Sequence, residues 1–490
     1  MSDLEIRPTV RPAPMRTATS LAPPSPARKG GWARRGIAAL AALASLVPLA
    51  PTPVRAQVED MPIIRDAEIE ALLNDYTRPI FKAAGINVGA AKVFIINDRS
   101  FNAFVANGQK IFINTGALMD AKTPNEIIGV LAHETGHMAG GHLVRLHQEL
   151  ARAQVLAVAG MLLGAGAAVS TMRNGGRGPV GADSTGVAGA MLGPQELVKR
   201  SLLAYVRGEE EAADRAAVKF LDSTGQSSKG LLTTLERFQN DSLFVSSRID
   251  PYLQTHPLPR ERLSNLDQAA KASRFFNVTD SPALQARHDL VRAKLFGFVG
   301  TAAEVARRYP LSDTSLAAKY ARAISAYRFG RVDDALSQID GLIAAQPNNP
   351  YFHELKGQAL LEAGRATQAL PPLHRALALA PEATPIRILL GHALVSTNAS
   401  ADTNEAIKVL ANAAQRDPDN AEAFTYLAMA YDRKGDTPQA QLAAAQAMFQ
   451  EGKFQEARTQ AARAQKQFPT GSPGWLKADD ILNYRPPRFD

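Results

Sequence analysis

The chain has 490 residues, 21% of them charged, a formal net charge of +8 and no cysteine. The missing cysteines exclude thiol catalysis and cysteine-ligated zinc, and they fit an oxidising envelope compartment. The charge does not imply nucleic-acid binding: residues 1–56 hold eight Lys/Arg against two Asp/Glu and leave the rest of the chain near +2.

That first segment reads as an export signal. Arg28, Lys29, Arg34 and Arg35 precede an apolar run over residues 37–50, and Val54-Arg55-Ala56 permits a cut near Gln57. An uncleaved membrane anchor is the structural alternative. Residues 92–96 (Lys-Val-Phe-Ile-Ile) read as a strand, and residues 102–105 and 110–113 as a hairpin turned at Asn107-Gly108. A helix starts at Thr123-Pro124-Asn125-Glu126, with Thr123 as N-cap, Pro124 in the first turn and Glu126 closing a capping box.

Ile127, Ile128, Val130 and Leu131 give that helix an apolar face, and His133-Glu134-Thr135-Gly136-His137 follows two to three turns in. On a helix His133 and His137 share a face one turn apart. They can then bind one zinc ion, with Glu134 beside the water on the metal. Gly136, Gly140 and Gly141 each weaken the helix by about 1 kcal/mol if interior, yet beside a metal they let backbone approach closely.

Catalytic zinc needs a third protein ligand. His142 is nearest, but it falls one residue short of the metzincin spacing, where Leu143 stands, so His142 and His147 read as helix-surface residues or supports of the ligands. Residues 209–221 have helical character and place Glu210 and Asp214 on one face. One carboxylate can bind zinc while the other accepts a hydrogen bond from a ligating imidazole.

Between these motifs, residues 153–172 carry no charge and reach the length of a membrane span, but six Ala and three Gly make them a poor one. A buried helix or apolar lid is expected, with peripheral membrane contact as its other use. The Gly-rich stretch 174–193 is expected to be a loop.

Beyond residue 310 the sequence repeats with a period near 34, the signature of tetratricopeptide units. Ala335, Ala369, Ala406 and Ala440 are equivalent; Pro347, Pro381 and Pro418 end successive units; Gly357 and Gly391 sit where close helix packing wants a small residue. An insertion around residues 400–403 lengthens one interval, and an atypical tail with Trp475 ends the array. The units should stack and present a protein-binding face. His353, His374 and His392 read as ordinary surface or packing residues.

Three ordered motifs, His133-Glu134-x-x-His137, Glu210-x-x-Ala213-Asp214 and His256-Pro257-x-x-x-x-Arg262, followed by helical repeats, resemble the HtpX/Ste-type gluzincin metallopeptidases and especially their soluble periplasmic branch. The resemblance implies one Zn2+ per chain, held by His133, His137 and Glu210. It makes Glu134 the general base, Asp214 the orienter of a ligand histidine, and His256 a residue that occupies or regulates the open coordination site. Arg262 would position that loop or stabilise the oxyanion. Thr135 departs from the family, which usually has a larger aliphatic residue there.

The fold so implied is mainly α with a small β-sheet: a zincin-like protease domain over residues 57–272, a helical linker over 273–310 and an α-solenoid of repeats over 311–490. The implied activity is that of an exported zinc endopeptidase cleaving misfolded or misassembled outer-membrane proteins. Zinc lowers the pKa of bound water to about 7 and Glu134 takes its proton. An edge strand, residues 102–105, would pair with extended substrate. The repeats would recruit substrate or the outer-membrane β-barrel assembly machinery. The alternative is a latent protease acting mainly as a periplasmic chaperone or scaffold.

Overall fold

The computed structural model describes residues 62–106, 108–152, 184–244, 252, 256–257, 260–397 and 399–485. The export signal expected over residues 1–56, the uncharged stretch 153–172 and Asn107 lie outside them. Among the described residues no helix is long and apolar enough to cross a membrane.

Alternation of apolar residues builds a four-stranded sheet. Its strands are β1 (Ile63–Ile64), β2 (Lys92–Ile96), β3 (Ala103–Ala106) and β4 (Lys110–Asn114), in the order β1-β2-β4-β3. β2 and β4 run parallel, while β3 and β4 form the antiparallel hairpin, with Gly108 at φ +82° in its turn. β3 is therefore an edge strand. Ile95, Ala103, Ile111 and Ile113 enter the main core, and period-two geometry sends Phe94, Phe104 and Phe112 to the other face, where they stack.

Helices cover the core side of the sheet. They are α1 (Ala67–Ala83), α2 (Thr115–Asp120), α3 (Pro124–Gly140), α4 (Ser184–Ser223), α5 (Lys229–Phe244) and α6 (Arg260–Ala272). The Glu126 carboxylate accepts from the Thr123 backbone N–H and completes the capping box of α3. That helix stops at Gly141, whose φ of +65° makes it the C-cap rather than an interior residue. The loop expected over 174–193 is corrected from Ser184 onward, where α4 has already begun. Its glycines there are interspersed with the good helix formers Ala188, Ala190, Met191 and Leu192.

The repeats are helix pairs. α7 (Pro282–Val299) and α8 (Ala302–Arg308) lead into α9 (Leu316–Phe329) and α10 (Val332–Ala345). α11 (Pro350–Glu362) pairs with α12 (Ala366–Leu379), and α13 (Thr384–Ser396) with α14 (Ser400–Arg416). α15 (Ala421–Lys434), α16 (Thr437–Gln450), α17 (Phe454–Gln465) and α18 (Pro473–Asn483) complete the array. A Cβ on Gly357 or Gly391 would come within 2.4 Å of Leu373 or Leu410, so the small residues are required by helix approach. The longer sequence interval is absorbed as helix: α14 has 17 residues where α10 and α12 have 14.

α7 is more than a bridge. Val291 and Leu295 belong to the core that holds the sheet, Leu290 to the core of the first repeat, and Ala293 to a third cluster with Val305 and Tyr309. His288 and Arg292 contact the carbonyls of Ala121 and Met119.

Candidate metal centre

α3 brings the first two candidate ligands together because a one-turn spacing stacks their side chains. His133 Nε2 and His137 Nε2 lie 3.0 Å apart. α4 packs across α3, and its Glu210 carboxylate reaches both: Oε2 is 3.4 Å from His133 Nε2 and Oε1 is 3.3 Å from His137 Nε2. The two helices approach this closely because Gly136 has no side chain; a Cβ there would lie 2.8 Å from the Ala213 carbonyl oxygen. His256 completes the group, with Nδ1 3.0 Å from Glu210 Oε1 and Nε2 3.5 Å from Glu134 Oε1.

Each ligand candidate is held from behind. His133 Nδ1 lies 2.9 Å from Asp214 Oδ1, one turn beyond Glu210 on the same helix face. Arg262 binds Asp214 through Nε (2.6 Å) and Nη2 (3.0 Å), and its Nη1 donates to the Pro257 carbonyl and contacts Glu210. His137 Nδ1 lies 2.9 Å from His142 Nδ1, and His142 Nε2 in turn lies 2.8 Å from Glu209. His142 thus stands behind the cluster instead of within it. Among the described residues no hydrogen bond, ion pair or ring contact relates His147 to the cluster.

Electrostatics follow burial and charge. Burial pushes the His137 imidazole down to about 3, leaving it neutral with a free lone pair. It also opposes charge on His133, but Asp214 and Glu210 outweigh it and hold that imidazole at about 9. For Glu210, burial is overcome by His256, His133 and His137, which keep the carboxyl well below the usual range. Asp214 is held at about 2, where His133 and Arg262 outweigh burial. Glu134 is pushed up by burial.

His133, His137, Glu210 and His256 each offer a donor atom, all within 4.8 Å of one another. The 3.0–3.4 Å separations among the first three match the edge of a tetrahedron with bonds of about 2.0–2.1 Å, which is close to 3.3 Å. Both Glu134 oxygens and His256 Nε2 are buried without a hydrogen-bond partner among the described residues. Native structures rarely leave such atoms orphaned. A divalent metal fits this donor set.

Sequence reasoning passed over Tyr252, whose ring lies against His256, and Glu209, which anchors His142. The available signals were one-turn spacing from His256 and adjacency to Glu210.

A buried histidine–carboxylate cluster on two crossed helices, followed by helical repeats, defines a metalloprotease with an appended tetratricopeptide array. Residues 65–270 match the model of peptidase family M48, and residues 342–452 match that of the cytochrome c-type biogenesis protein H TPR domain. It is 25% identical over 403 residues to the beta-barrel assembly-enhancing protease of Yersinia pestis, spanning 80% of this chain and 78% of that one. With the protein of the same name from Escherichia coli K12 it shares 24% identity over 322 residues, which is 64% of this chain and 63% of the relative. The solved structure of YrrB, a TPR protein with an unusual peptide-binding site, aligns with 37% of this chain and 92% of its own at 21% identity and a TM-score of 0.29.

Proposed function

We propose that this chain is an exported zinc endopeptidase that cleaves misfolded or misassembled outer-membrane proteins in the periplasm. The convergence of His133, His137, Glu210 and His256 around one point carries the reading. The name shared by its relatives supplies the link to β-barrel assembly.

Zinc, which His133, His137 and Glu210 would hold, would supply Lewis acidity there. Glu134, buried and without a hydrogen-bond partner among the described residues, takes the water proton and delivers it to the leaving amine. Asp214 fixes the orientation of His133, and the Glu209–His142 pair does the same for His137. Arg262 has three nitrogens committed to Asp214, Glu210 and Pro257, which favours positioning the His256 loop over oxyanion stabilisation. The free edge of β3 suits an extended substrate, read through its backbone. In this reading residues 57–272 carry the chemistry, residues 273–310 link, and residues 311–490 recruit substrate or assembly machinery.

A second reading, a latent protease serving as a chaperone, is favoured by His256, which adds a fourth donor where catalysis needs an open position. Cleavage of an unfolded outer-membrane β-barrel protein by zinc-loaded protein tests both. Glu134→Gln should lower the rate at least about 10²-fold with zinc still bound. Equal cleavage by both proteins refutes the role of Glu134, and no cleavage by either favours the latent state.

A further inference from the structure

Tyr252 is fully buried and takes no part in the donor set, yet it engages His256 through both its ring and its backbone. Its ring centroid lies 4.7 Å from the His256 imidazole at 31°, and its carbonyl accepts the His256 backbone N–H at 2.7 Å. The imidazole also meets the rings of His133 at 5.2 Å and His137 at 5.3 Å. The His256 imidazole thus has Tyr252 as an aromatic neighbour in addition to the two ligand histidines.

Behind Tyr252 the packing continues as a stack. Phe238 of α5 lies parallel to it at 5.2 Å, and Phe101, two residues before β3, meets both rings edge-on, at 5.9 Å from Tyr252 and 4.8 Å from Phe238. The Arg237 guanidinium covers Phe101 and Phe238 and contacts the capping-box carboxylate Glu126 at 3.1 Å. Contacts therefore run unbroken from the start of the metal-binding helix, past the foot of the edge strand, to His256. Offset and edge-on pairs are the favoured aromatic geometries, and together they restrict where the Tyr252 ring can sit.

We propose that Tyr252 is a positioning residue: backed by Phe238 and Phe101, its ring holds the His256 imidazole against the metal cluster and so sets how readily the fourth coordination position opens. The proposal rests on the reading of His256 as a donor.

The test is made on full-length protein loaded with cobalt, whose visible spectrum reports coordination, together with the rate of cobalt loss to a chelator. His256→Ala should change the spectrum and accelerate loss. Tyr252→Leu should do the same, speeding loss about 10-fold, the scale on which residues supporting a ligand act. Tyr252→Phe should restore the native spectrum. In a His256→Ala background, Tyr252→Leu should add less than about twofold, because coupled residues are not additive.

A folded Tyr252→Leu with native spectrum and loss rate overturns the proposal. So does full additivity with His256→Ala, which would mark a generic packing role. Should Tyr252→Leu fail to fold, Phe101→Leu decides by the same two readings. An unchanged spectrum in His256→Ala instead refutes the donor reading itself, a separate result.

Discussion

Arg262 is 1% exposed, and three of its nitrogens reach two carboxylates and a carbonyl. A guanidinium can hold Asp214 by two bonds and still reach Glu210; an ammonium cannot match that fork. Arg262→Lys should therefore weaken metal binding about 10–100-fold although charge is kept, and a competition titration with a chelator would show it. Native affinity in that variant would mean that charge alone suffices. The closeness of His133 and His137 was legible because one-turn spacing alone puts the two imidazoles on one helix face. Glu210 and Asp214 were legible as a pair, but their division of labour came only from the resemblance. The bracing of His137 by His142 and Glu209 was not legible in that detail, since it depends on α4 crossing α3, which spacing along one helix cannot reveal.

That crossing is decided by elements and not by single ligands. Gly136 lets the backbone of α3 touch Ala213 of α4, directly between Glu210 and Asp214 in sequence. Ala at position 136 would favour the helix by about 1 kcal/mol, but its Cβ would meet backbone, and overpacking costs about 1–3 kcal/mol. Gly136→Ala should lower the thermal midpoint and reduce bound metal per chain, measured by melting and elemental analysis; gained stability would refute the close-approach argument. The capping box of α3 and the hairpin of β3 and β4 were readable because their signals are local. The upstream extent of α4 was not, because its glycines resemble a loop until their neighbours are counted.

Across the whole molecule the two halves meet at a buried charge. Lys294 of α7 lies 2.7 Å from Asp66, 3.4 Å from Glu68 and 3.7 Å from Glu354, and the Tyr320 hydroxyl donates to Glu68. Arg65 and Lys92 also pair with Asp417 in an inter-repeat turn. Burial outweighs Lys294 and pushes the Glu354 carboxyl up from 4.5 to about 8. A raised carboxyl contributes stability in full below pH 4.5, and loses it as pH climbs through 8. From pH 5 to 8 the stability of the native chain should therefore fall relative to Glu354→Gln, by roughly 1–4 kcal/mol in all. Paired melting curves at several pH values would test this, and parallel curves would refute it. No single segment announces this junction, because its charges come from α7, α11 and the residues around the start of α1.

A helix whose side chains belong to three cores ties the stability of each half to that of the other. Whatever grips the repeats then lends its binding energy to the fold around the histidines as well, by mass action on a shared equilibrium and without any moving part. If the repeats recruit substrate as proposed, its capture would itself be a form of protection for the centre that cuts it.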